Sequence, residues 1–73
     1  MDKRIIEIME RVFEQPGLDT KTSQENCGKW DSLRHLNLIV ELEEAFDMEF
    51  EPEEIAEMKS FDAVKRIIGQ KLG

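Results

Sequence analysis

Residues 30–46 read WDSLRHLNLIVELEEAF. Leu33, Leu36, Ile39, Val40 and Phe46 recur there at helical spacing, and Leu38 and Leu42 widen the stripe. The spacing predicts a helix from about Ser32 to Phe46, ending at Asp47. Asp31 and Ser32 are both residue types that start helices by capping free N–H groups.

Working outward, the pattern stays helical. Ile5, Ile6, Met9, Val12 and Phe13 predict an amphipathic first helix from about Asp2 to Glu14, stopped by Pro16-Gly17. Gln15 to Asp31 shows no sustained period, and only Leu18, Cys27 and Trp30 offer apolar anchors to a core. A loop this long in a small domain is expected to serve function. On the other side, Pro52 suits the first position of a short third helix, with Glu53 and Glu54 in the first turn and Ile55 and Met58 inward. Ser60 can cap a fourth helix with Phe61, Val64, Ile67, Ile68 and Leu72 on its apolar face. Lys65, Arg66 and Lys71 lie toward its C-terminal end, where cations suit the helix dipole. No segment alternates with the period of a strand. The expected fold is all-α, a four-helix bundle with a short third helix, in a single domain over residues 1–73.

Composition narrows function. The 73 residues are 40% apolar and 37% charged, with a formal net charge of -7. A core is affordable, but a chain this short rarely encloses an active site, so partner proteins are the first place to look. No apolar run approaches the roughly 18 residues of a membrane span, and no N-terminal segment resembles a signal peptide. Cys27 is the single cysteine, which excludes an internal disulfide or a cysteine zinc site and points to a reducing, cytoplasmic compartment. The acidic balance argues against nucleic acid as a partner. Asp31, Glu41, Glu43, Glu44, Asp47, Glu49, Glu51, Glu53, Glu54 and Glu57 face only Arg34 and Lys59 in the middle of the chain. Such a block is either a solvated face or a field that steers basic partners.

Catalytic signatures are missing. There is no G-x-S-x-G elbow and no phosphate loop. His35, the single histidine, lacks the companions of a zinc site or a triad and reads as a surface residue. Asp47, Glu49 and Glu51 alternate as in a calcium loop, but Pro52 stands where the turn needs glycine and Met58 where a bidentate glutamate belongs. Cys27 reads as a small buried loop residue and Trp30 as a loop anchor. Asp31-Ser32-Leu33 remains, at the start of the second helix. Capping alone accounts for this pair. A serine hydroxyl there would also place an attached phosphodiester beside unpaired N–H groups. With no base of its own, such a serine would be activated by another enzyme, which describes a carrier.

Trp30-Asp31-Ser32-Leu33, followed by Leu36, Leu38, Glu43-Glu44-Ala45-Phe46, Met58-Lys59-Ser60 and Val64, resembles the acyl and peptidyl carrier protein family. The resemblance is firm over residues 28–68, and the first helix and loop agree in length. It implies a 4′-phosphopantetheine arm on Ser32, donated by coenzyme A through a phosphopantetheinyl transferase, whose thiol holds an acyl or aminoacyl group as a thioester. It further implies that Asp31 assists the transferase complex and its magnesium, and that Leu33 packs into a partner's pocket or into the core. The implied partners are acyl-loading and acyl-transferring enzymes of fatty acid, polyketide or other secondary pathways, with basic docking patches. Docking is expected on the second helix, where Arg34, Asn37, Glu41, Glu44 and Met48 follow helical spacing beside Ser32. Arg34 and Asn37 stand where fatty-acid-synthesis carriers commonly have acids, which implies a specialised partner set. Met48 and Met58 are core by default, with an acyl-lining role the alternative. Length and Met1 lead to the expectation of a free-standing monomer. The competing function is a small acidic helical adaptor with no prosthetic group.

Overall fold

Each helix starts and stops on a local signal. In the computed structural model, which describes residues 1–73, these are α1 (Asp2–Phe13), α2 (Ser32–Phe46), α3 (Pro52–Glu57) and α4 (Phe61–Leu72). Glu14 closes α1 and Asp47 closes α2, each in the left-handed conformation at φ 52°. The next amide then reaches back along the helix: Gln15 N–H donates to Glu10 O at 3.1 Å, and Met48 N–H to Glu43 O at 3.1 Å. Pro52 opens α3, and Glu51 N–H donates to Glu54 Oε1 at 2.8 Å across its first turn. Ser60 Oγ accepts from Ala63 N–H at 3.1 Å to cap α4. The architecture is an all-α four-helix bundle with one short helix, as the sequence predicts.

α1 packs against α2 and α4. Ile5, Met9 and Phe13 of α1, Leu38 and Leu42 of α2, Met58, and Phe61, Val64 and Ile68 of α4 are essentially solvent-free. Burying a side chain of this size contributes about 1.5–3 kcal/mol, so this group dominates the stability. Two inward faces differ from expectation. Ile8 is buried, whereas Ile6 and Val12 are half-buried. In α2 the expected Ile39 faces the core together with Leu38 and Leu42 from the edge of the stripe, whereas Leu33, Leu36 and Val40, also expected inward, are exposed at 69%, 57% and 51%. Leu72 is likewise exposed, on the final turn of α4.

The long loop is fastened at several points. Cys27 and Trp30 are buried, and the Trp30 ring lies 5.0 Å from that of Phe13 between centroids. Thr22, which no apolar pattern marks, is buried as well, its hydroxyl accepting from Asp19 N–H. Gln24 N–H donates to Lys59 O at 2.9 Å and Phe61 N–H donates to Thr22 O at 2.8 Å. This isolated antiparallel bridge, Ser23 to Ser60, ties the loop to the start of α4.

Candidate functional site

The loop delivers the chain to α2 through Asp31, whose extended backbone turns its side chain over the helix start. Asp31 Oδ1 accepts from Arg34 N–H at 2.8 Å, and Oδ2 accepts from Arg34 Nη1 at 3.2 Å. Asp31 therefore does the capping, and Ser32 is the first helical residue. The side chain of Ser32 is exposed, and its hydroxyl has no partner in the protein. The amide N–H groups of Ser32 and Leu33 also lack acceptors, as expected in the first turn of a helix. An anion on Ser32 would meet those donors and the positive end of α2.

His35 is not a free surface residue. It is half-buried, Trp30 Nε1–H donates to its Nδ1 at 2.9 Å, and its Nε2 lies 2.9 Å from Ile55 O. Because the indole only donates, Nδ1 is the acceptor and Nε2 carries the proton given to Ile55 O. Both nitrogens are spent on structure, linking the loop, α2 and α3. His35 is thus unavailable as a base toward Ser32 or as a metal ligand. The correction traces to two partners, Trp30 and the Ile55 carbonyl, that spacing along α2 does not reveal.

Around Ser32 lies an open depression of ≈ 460 Å³, lined by Gln24, Trp30, Asp31, Ser32, His35 and Leu36. Leu36 reaches it from one turn along α2 beyond Ser32, whereas Gln24 belongs to it only through the tertiary fold, and nothing in its sequence context marks it as a site residue.

The residues expected to dock partners are spread more widely than a single free face. Asn37 and Glu44 are exposed on α2. Arg34 is drawn back to Asp31 and, at 3.8 Å, to Glu14, because both acids lie within its reach. Glu41 forms an ion pair with Arg11 of α1. Met48 lies past the end of α2, packed against the core beside a second depression lined by Val40, Glu43, Glu44, Asp47 and Glu49. Met58 is fully buried in the core. Leu33 is at the rim of α2, facing solvent. No helix is long and apolar enough to cross a membrane.

No protein-family model and no curated protein matches the chain. Among solved structures, one provisionally described as an acyl carrier protein, from Mycobacterium tuberculosis, aligns with a TM-score of 0.83. The alignment covers 93% of each chain at 22% identity. The chain has the fold of an acyl carrier protein.

Proposed function

We propose that the protein carries an acyl or aminoacyl group as a thioester on a 4′-phosphopantetheine arm attached to Ser32. The observation that supports this reading most directly is the division of labour at the start of α2. Asp31 takes the cap, which leaves the Ser32 hydroxyl exposed and unpartnered beside two free amides. An ordinary capping serine would be turned inward on its own helix. The arm would supply the thiol that bears the cargo; the chain itself would hold the phosphodiester at the helix start.

Attachment would join Ser32 Oγ to the phosphorus next to pantetheine and break the pyrophosphate of coenzyme A, releasing adenosine 3′,5′-bisphosphate. No base within the chain hydrogen-bonds the hydroxyl: both nitrogens of His35 are engaged and the Asp31 oxygens face Arg34. A phosphopantetheinyl transferase would provide the base, which makes this chain a substrate and carrier, not a catalyst. The acidic surface fits partners with basic patches, encountered by electrostatic steering.

The test is intact mass after incubation with coenzyme A and a permissive transferase. One phosphopantetheine should be added, and Ser32→Ala should abolish the addition while leaving helical circular dichroism unchanged. Modification at Ser23 or Ser60 would overturn the assignment to Ser32, and none with several transferases would overturn the carrier reading and leave an adaptor without prosthetic group.

A further inference from the structure

The depression beside Ser32 has walls of a particular chemistry. Trp30 and His35 lie edge to edge through their hydrogen bond, with ring planes 27° apart and centroids separated by 6.1 Å. Their polar atoms are satisfied by each other and by Ile55 O, so the wall they form has no unmet hydrogen-bonding demand. Leu36, largely exposed, adds an aliphatic side. Gln24 is half-buried, and its side-chain amide has no partner within the protein. The remaining lining carboxylate, Asp31, is committed to Arg34. One apolar wall and one free amide therefore open directly at the hydroxyl of Ser32. The volume of ≈ 460 Å³ falls within the roughly 300–1,000 Å³ range of small-molecule sites.

Resting on the carrier reading above, we propose that this depression is a resting site for the pantetheine portion of the arm. The arm carries a geminal dimethyl group followed by amides, an order of apolar and amide groups that matches these walls. The dimethyl group lies against Leu36 and the Trp30–His35 wall, and an arm amide pairs with the side chain of Gln24. The phosphate stays at the free amides of Ser32 and Leu33. Weak contacts suffice, because a tethered group is present at an effective concentration on the order of millimolar. The site would keep the arm against the protein between partners and release it on docking.

The experiment compares apo and holo protein, isotope-labelled in the chain and unlabelled in the arm, by nuclear magnetic resonance. Cross-relaxation between the arm's geminal methyls and Leu36 is expected. The Gln24 side-chain amide should shift on attachment, while that of Asn37, outside the depression, should not. Gln24 is distant in sequence from Ser32, so its shift cannot be a through-bond effect. Leu36→Asp at this exposed position should abolish the shift at Gln24, and Gln24→Ala should weaken the cross-relaxation to Leu36. Arm present by mass but no contact to Leu36 and no shift at Gln24 would overturn the resting site and leave the carrier reading standing. Failure of Ser32 to gain the arm would instead overturn the carrier reading, and the resting site with it.

Discussion

Lys71 Nζ stands 2.9 Å from Glu54 Oε1, the same oxygen that accepts the Glu51 amide at the start of α3. One carboxylate thus closes the first turn of α3 and fastens that helix to the last turn of α4. The arrangement matters because α3 has no fully buried residue of its own between Pro52 and Glu57. Polar fastenings at Glu54 and at the Ile55 carbonyl hold it where packing is thin.

The first prediction follows from that carboxylate. The Glu51 amide, and then the Lys71 ammonium, hold the Glu54 carboxyl below its ordinary value of 4.5. A folded value below the unfolded one stabilises the protein above that ordinary value, and the contribution is lost as pH falls through the lowered one. Glu54→Gln should be less stable than the parent at neutral pH, and the gap should close as pH falls below about 4.5. Urea midpoints at a series of pH values measure it. A gap that is constant with pH would refute the linkage.

Adjacent substitutions at the start of α2 should separate stability from function. Asp31→Ala removes the cap and should cost about 1 kcal/mol. For a domain of this size that lowers the melting temperature by roughly 4–8 °C. Ser32→Ala removes a hydroxyl with no partner and should leave the melting temperature unchanged. Equal losses would mean that Ser32 shares the capping role.

The Trp30–His35 hydrogen bond gives a third test. His35→Leu leaves a buried indole N–H without an acceptor, a loss of about 1–3 kcal/mol. In a Trp30→Phe background the donor is already gone, so the same substitution should cost less. Urea denaturation of the four proteins completes the cycle. Additive losses would show that the two side chains do not interact.

Arg34 and Asn37, the positions proposed to select partners, are unequal probes in the structure. Arg34 is paired with Asp31 and Glu14, so Arg34→Asp disturbs the helix start as well as the surface. Asn37 is exposed and makes no side-chain hydrogen bond, so Asn37→Glu changes charge alone. An exposed charge is typically worth about 0.2–1 kcal/mol. Acyl loading of the Asn37→Glu carrier by fatty-acid-synthesis enzymes should therefore rise a few-fold, and the gain should shrink with added salt. No gain would end the argument that this position selects specialised partners.

Helix content was legible in the sequence because apolar periodicity and capping residues agree at nearly every boundary. The rotation of α2 was not. Leu33, Leu36, Leu38, Ile39, Val40 and Leu42 surround much of that helix, so two different stripes satisfy the same period, and only packing against α1 selects Leu38, Ile39 and Leu42. Ser32 stood out because its neighbours in sequence are also its neighbours in space. Gln24 did not, since it reaches the depression through a bridge to α4. His35 failed for the same reason: its carbonyl partner, Ile55, is on another helix.

Trp30 is the single tryptophan, and the chain contains no tyrosine. Light absorbed at the long-wavelength edge of the protein's spectrum is therefore taken up and re-emitted by one indole, that of Trp30, two positions before Ser32, with its N–H pinned to His35. The protein is its own optical sensor. Events at Ser32 that disturb this ring, whether arrival of the proposed arm, loading of cargo or engagement of an enzyme, can be followed by emission in real time without a dye.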